Sequence, residues 1–261
     1  MTTDRPLALV TGASSGIGAS FATRLARDGY DLIVVARRRD RLEALAAGAP
    51  QASVEIVEAD LGTQDGLAEV CRRAAERPLA MLVNNAGLAH YMPFVELPPD
   101  KAEELMRVNV VAPTLIARAA LPGMVARGAG AIVNLSSLLA FSGPAQIPNL
   151  PKRAVYAATR AFVVTFSQVL AAELAGTGVR VQALCPGVVR TEFHTRQGMD
   201  LSFLPRMEPD DVVTASLAGL AAGELICVPG LEDAAALDRL TQSQLGVLPA
   251  AQKTTLASRY S

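Results

Sequence analysis

Short apolar runs alternate with longer amphipathic stretches along this chain. Leu7–Thr11, Asp31–Ala36, Leu79–Val83, Ala131–Leu135 and Val179–Leu184 are too short for helices and apolar on both faces, the pattern of strands buried inside a parallel sheet. Ser53–Ala59 alternates as a further strand and Leu225–Val228 supplies a last one. Between them the spacing predicts helices from the glycine-rich turn after Thr11 to about Asp28, from about Gln64 to Glu76, from Pro99 to Arg127, and around Tyr156. Two more follow, from Glu208 to about Ala222 and from Glu232 to Leu240. Strict alternation of strand and helix implies right-handed crossovers and an α/β fold: a doubly wound parallel sheet of about seven strands with helices on both faces. No linker-like run interrupts it, so residues 1–261 read as one domain. Residues 192–207 lose periodicity and carry Phe193, Gly198, Met199, Phe203 and Pro205, a composition suited to a substrate lid, while the tail 241–261 carries little information.

The first strand runs directly into Thr11-Gly-Ala-Ser-Ser-Gly-Ile-Gly18, which opens a helix. Glycines at 12, 16 and 18 let backbone amides approach a diphosphate, and the helix N-terminus presents unpaired N–H groups to it. Gly12, Ser14, Ser15, Gly16, Ile17 and Gly18 are therefore candidate contacts in a Rossmann-type, dinucleotide-binding fold. At the end of the second strand, an acid would accept the ribose 2′-OH of NAD, whereas a guanidinium would bind the 2′-phosphate of NADP. The chain has Arg37-Arg38-Arg39 there and no acid, with Arg37 the expected partner of the 2′-phosphate, so NADP(H) is favoured over NAD(H). The alternative is a solvated basic turn that starts the next helix.

Further strand ends point to the same edge. The third delivers Asp60-Leu61, the fourth ends in Asn84-Asn85-Ala86-Gly87, the fifth in Ser136-Ser137, and the sixth runs into Cys185-Pro186-Gly187-Val188-Val189-Arg190-Thr191. Small and polar residues at carboxyl ends of strands let a ring or sugar approach the backbone. Asn109, inside an apolar helical segment, needs partners and either braces backbone groups or touches the site. Tyr156 and Arg160 lie four residues apart, on one face of a shared helix. A permanent cation one turn away favours the phenolate, which makes Tyr156 the candidate proton donor; the plainer alternative is a half-buried tyrosine beside a solvated arginine.

Composition narrows the remaining choices. Hydrophobic residues make up 51% against 19% charged, enough to cover a buried sheet, and the net charge of −1 supplies no field to draw nucleic acid or an anionic membrane. No window reads as a membrane span and no signal peptide is evident. Cys71, Cys185 and Cys227 are odd in number and far apart, and read as buried thiols in a reducing compartment, so a cytoplasmic protein is expected. His90 and His194 are too isolated to suggest a metal site.

Taken together, these motifs resemble the short-chain dehydrogenase/reductase family over about residues 6 to 230. The resemblance implies that Thr11–Gly18 cradles the diphosphate, Asp60 and Leu61 contact the adenine, and Asn85, Ala86 and Gly87 lie beneath the nicotinamide side. Pro186, Gly187, Val189 and Thr191 would hold the carboxamide end. It further implies hydride transfer between nicotinamide and a carbonyl or alcohol carbon of a small to medium apolar substrate. Tyr156 would give or take the proton, Ser137 hold the substrate oxygen, and Asn109 order a water. A homodimer or homotetramer is implied as well, built on the helices around Asn109 and Tyr156. The family pattern is Tyr-x-x-x-Lys, and here Arg160 stands at the lysine position; Arg supplies fixed charge and donors but does not deprotonate. Between Ser137 and Tyr156, residues 144–153 look longer than in most relatives and carry Pro144, Pro148 and Pro151, where substrate would enter. Arg160 and this loop leave two other possibilities: a non-redox lyase, isomerase or cyclase on the same scaffold, and a protein that senses NADP(H) without turnover.

Overall fold

Strands that are apolar on both faces need cover on both, and the computed structural model shows how they obtain it; it describes residues 5–143, 152–252 and 254–260. The strands are β1 Leu7–Thr11, β2 Asp31–Ala36, β3 Val54–Glu58, β4 Leu79–Asn84, β5 Gly130–Leu135, β6 Val179–Leu184 and β7 Ile226–Cys227. They form one seven-stranded sheet in the order β3-β2-β1-β4-β5-β6-β7, with every pairing parallel. Helices α1 Gly16–Arg27, α2 Arg39–Ala47, α3 Gln64–Glu76, α4 Pro99–Met106, α5 Ala112–Arg127, α6 Ala154–Glu173, α7 Glu192–Thr195 and α8 Pro209–Ala222 connect them. Alternate residues of β1 face opposite layers: Ala8 and Val10 pack with Phe21 and Leu25 of α1, while Leu7 and Leu9 pack with Ile116 and Met124 of α5. This is the doubly wound, Rossmann-type sheet that the alternation predicts. Its order puts the ends of β1, β4, β5 and β6 side by side.

The chain divides into two compact units, Met1–Pro229 and Gly230–Ser261. The first holds the whole sheet. The second holds α9 Ala235–Ala251 and a short 3₁₀ turn, Ser258–Tyr260. The helix expected over Glu232–Leu240 thus runs further, into residues that the sequence leaves as tail. Pro249 falls in its last turn, where a missing N–H removes only one bond.

The long helix expected from Pro99 to Arg127 is interrupted by a π-helical turn, Arg107–Val111, centred on Asn109. In a regular α-helix, the N–H of residue 113 would bond the Asn109 carbonyl, and Pro113 has no N–H. Helix Pro99–Arg127 and α6 also have mean hydropathies of 1.4 and 1.3 over windows long enough for a membrane span. That corrects the expectation that no window would qualify. Their apolarity has a local cause, because each packs one face on the sheet or its neighbours and leaves further apolar residues outside.

Candidate active site

Thr11 ends β1 and ties two motifs together. Its Oγ1 accepts from the backbone N–H groups of Asn85 and Ala86, both at 3.0 Å, and the Asn85 side-chain amide donates to the Thr11 carbonyl at 2.9 Å. Asn85 therefore braces the glycine-rich loop from behind. Gly12 needs its positive φ of 68° as well as the space: an added Cβ would lie 2.7 Å from Asn85 Nδ2 and 2.9 Å from Ala86 Cα. At Gly16, φ 56°, a Cβ would meet the Thr191 methyl at 2.8 Å, which places the Pro186–Thr191 segment against the same loop. Below the site, paired Asn84 and Asn134 share a buried hydrogen bond of 2.9 Å that continues to Ser167 on α6 at 3.0 Å. Strand ends and α6 are thereby held in fixed register.

The three arginines after β2 separate. Arg37 is exposed and faces Asp60 at 3.6 Å, while Asp60 Oδ1 accepts from the Gly62 N–H and buried Leu61 packs below. Arg38 turns inward and donates to Ser14 Oγ at 2.9 Å, Ser15 Oγ at 2.9 Å and the Ser14 carbonyl at 3.3 Å. It also pairs with Glu192 at 3.0 Å, and Arg41 pairs with the other oxygen of that carboxylate at 2.6 Å. The Arg41 and Arg38 guanidiniums hold the Glu192 carboxyl down to about 2. Sequence reasoning misses Glu192 and Arg41 because nothing along the chain connects them.

Tyr156 is 5% exposed and Arg160 is 3% exposed. The Arg160 guanidinium carbon lies 4.9 Å from the Tyr156 ring centre, and Nη1 donates to the Leu135 carbonyl at 3.0 Å. Nη2 lies over Gly87, where an added Cβ would collide with it. Nε is buried without a hydrogen-bond partner among the described residues. Gly87 thus admits a guanidinium beside the phenol, which answers the alternative of a solvated arginine: the cation is buried.

Asn109 spends its side chain on structure. Its amide accepts from Leu88 N at 3.0 Å and donates to the Leu88 carbonyl at 2.9 Å and Thr159 Oγ1 at 3.2 Å, tying the loop after β4 to α6. Only its main-chain carbonyl, opposite Pro113, lacks the regular helical donor. Ser137 Oγ accepts from the Leu139 N–H at 3.1 Å and caps a 3₁₀ turn, while Ser136 Oγ donates to the Arg160 carbonyl at 2.8 Å. Pro186 is fastened to that turn by Leu138 N–H at 2.9 Å, and Gly187 lies 4.0 Å from Leu138 Cδ2, measured from an added Cβ.

Aromatic side chains cover the phenol. Tyr91 stands edge-on to Tyr156 with ring centres 5.3 Å apart, Phe193 lies 6.2 Å away, and His194 stacks on Tyr91 at 6.3 Å. Burial, then the Tyr156 phenol beside it, pushes the Tyr91 hydroxyl above its ordinary range, so it stays protonated as a donor. Phe193 and His194 belong to α7, capped by Thr191 Oγ1 at 3.2 Å. The excursion expected as a lid is closed at its base by a bridge between Val189 and Met207, with Arg190 N to Met207 O at 2.9 Å. Tyr91 lies in an irregular segment and gives no sequence signal. Most of the proline-bearing loop, residues 144–151, lies outside the described residues.

This architecture has close relatives. A family model described as short chain dehydrogenase matches residues 6–201. A short-chain dehydrogenase from Sphingobium yanoikuyae, solved in complex with NADPH, is 40% identical, with a TM-score of 0.92 over 98% of this chain and all of the other. A bulky-bulky ketone specific alcohol dehydrogenase from Comamonas testosteroni is 35% identical, with a TM-score of 0.88 over 99% of each chain. A Myxococcus xanthus (strain DK1622) protein named as an uncharacterized oxidoreductase is 37% identical over 83% of this chain and 84% of its own length. A dinucleotide also fits the residues present: the glycine-rich loop is a cradle that side chains would fill, and Glu192 shows that Arg38 and Arg41 accept an anion. The chain belongs to the short-chain dehydrogenase family of oxidoreductases.

Proposed function

We propose that this protein is an NADP(H)-dependent alcohol dehydrogenase or carbonyl reductase acting on an apolar ketone or its alcohol. The observation that carries the proposal is the buried Tyr156–Arg160 pair under an aromatic cover, at the sheet edge where the glycine-rich loop ends β1. When bound, NADP(H) supplies or accepts the hydride. Ser14, Ser15, Arg37 and Arg38 would hold its ribose phosphate, Asp60 would flank the adenine, and Arg160 with the Gly87 backbone would meet the nicotinamide side.

In the reducing direction, negative charge develops on the carbonyl oxygen of the substrate. Tyr156 Oη donates its proton to that oxygen, and Ser137 Oγ, which accepts from the Leu139 N–H, donates a second hydrogen bond to it through its own O–H. Arg160 keeps its proton and stabilises the phenolate left on Tyr156 by its fixed charge. Reprotonation of Tyr156 then falls to water, which the Asn109 carbonyl would order, while the neighbouring Tyr91 hydroxyl keeps its proton and can only donate a hydrogen bond. Phe193, Tyr91 and Leu139 make the surroundings of the phenol apolar, which favours a carbonyl carried on aryl or alkyl groups over a charged substrate. The bulky-bulky ketone specificity of the Comamonas relative accords with this preference.

Exposed apolar side chains on the helices beside the site, Val111, Leu115, Phe162 and Val169, support the expected homodimer or homotetramer. The test of function is direct: NADPH absorbance followed with a panel of alkyl and aryl ketones, for wild type and Tyr156→Phe. Ketone-dependent oxidation by wild type, lost in the variant, is expected. Tight NADPH binding with no turnover across the panel would refute the reductase.

A further inference from the structure

Glu192 is the first residue of α7, yet its carboxylate lies at the cofactor end of the molecule. Arg38 donates to one oxygen at 3.0 Å, Arg196 to the same oxygen at 2.5 Å, and Arg41 to the other at 2.6 Å. Arg38 is at the same time fixed on Ser14 and Ser15, two hydroxyls of the glycine-rich loop. A carboxylate bound by guanidiniums has the same chemistry as a phosphate monoester bound by them, with fewer oxygens and less charge. The chain therefore carries an internal anion on the very groups that a ribose phosphate requires. Its i,i+4 partner Arg196 lies on the same segment, residues 192–207, whereas Arg38 and Arg41 belong to the turn after β2 and to α2.

We propose that Glu192 is a specificity-determining residue for the coenzyme, competing with the 2′-phosphate of NADP(H) for Arg38 and Arg41. This rests on the NADP(H) reading above. Binding of the phosphate requires the carboxylate to give up both arginines, since two anions on one guanidinium pair repel each other. A free ribose 2′-OH has no such requirement. It is a donor, and Glu192 held in place offers it the acceptor that the end of β2 lacks, so the lid supplies the acid that NAD-binding sheets place on β2. Glu192 thereby lowers the preference for NADP(H) below what Arg38 and Arg41 alone would give.

The experiment is a fluorescence titration of NADPH and NADH, without substrate, into wild type, Glu192→Gln and Arg38→Gln. Removing the competing charge in Glu192→Gln should tighten NADPH by roughly tenfold, the effect of one charged contact, and leave NADH unchanged or weaker. Glu192→Ala, which also removes the bulk of the side chain, should move the ratio of the two dissociation constants in the same direction. The same ratio in wild type and both Glu192 variants would overturn the proposal. Arg38→Gln separates this from failure of the NADP(H) reading. If it weakens NADPH selectively while the Glu192 variants change nothing, only the role of Glu192 falls; if it leaves NADPH binding intact, the phosphate site itself is misassigned and both fall.

Discussion

Replacing Arg160 isolates what a fixed guanidinium contributes beside the phenol. In Arg160→Ala, three interactions change together: the bond to the Leu135 carbonyl, the charge 4.9 Å from the Tyr156 ring centre, and the buried Nε that has no partner among the described residues. A hydrogen bond from a charged donor contributes about 1.5–3 kcal/mol, and an unpaired buried donor costs about 1–3 kcal/mol, so these two nearly cancel in folding. The effect on catalysis does not cancel. Losing one preorganised charged group beside the atom where negative charge develops costs on the order of a hundredfold in rate. Arg160→Ala is therefore expected to stay folded, to lose roughly a hundredfold in kcat/KM for ketone reduction, and to bind NADPH less tightly. Arg160→Lys restores the charge without the planar fork, and activity within about tenfold of wild type is expected. The assay is NADPH absorbance with the ketone panel for all three proteins, with thermal melts alongside. An Ala variant as fast as wild type would refute the electrostatic role. Silence from wild type beside turnover by the Lys variant would refute the reductase and favour a non-redox use of the site.

Other side chains give sharper local tests. Ser137→Ala removes one donor to the developing oxyanion and should lower kcat/KM by about 2–4 kcal/mol; an unchanged rate would mean that its hydroxyl only caps the turn at Leu139. Tyr91→Phe keeps the edge-on ring and removes the hydroxyl beside Tyr156, so kcat should fall roughly tenfold with KM little changed, and an equal kcat would exclude a hydrogen bond from that hydroxyl to the phenolate. His194 is held below its ordinary 6.5 by burial and then by the Arg206 charge. Its unfolded form takes up a proton first as pH falls, so stability is complete above about pH 6.5 and declines on acidification below it. His194→Phe should flatten that part of the stability profile, measured as melting temperature against pH, and an unaltered profile would show that another group titrates there.

What the sequence discloses depends on how far apart the cooperating residues lie. A strand buried on both faces has to be a continuous apolar run, so β1, β2, β4, β5 and β6 are legible at once, and their ends locate the site. Tyr156 and Arg160 are legible as a pair because one helical turn joins them. The π turn has a subtler signal, which periodicity alone does not show: Pro113, four residues after Asn109, removes the donor that a regular helix would need there. At Arg37 and Arg38 the composition is legible but the direction is not. Successive residues at the end of a strand point to opposite sides, and only the packed loop fixes which one reaches Ser14.

The replacement of lysine by arginine shows how a local substitution acquires distant conditions. A lysine would end in a compact ammonium; a guanidinium presents a plate that has to be accommodated beside a buried phenol. Gly87, on another strand end, leaves the volume for Nη2, and the Leu135 carbonyl at the end of β5 takes Nη1. Adding a methyl group at Gly87 would push the plate away from Tyr156, so the activity of Gly87→Ala should resemble that of Arg160→Ala even though every charged group is still present. Rescue then has a definite direction: Arg160→Lys in the Gly87→Ala background shortens the side chain that collides and should recover part of the lost kcat/KM. If the double variant is no better than Gly87→Ala, then Gly87 serves the coenzyme directly and the guanidinium merely happens to lie above it.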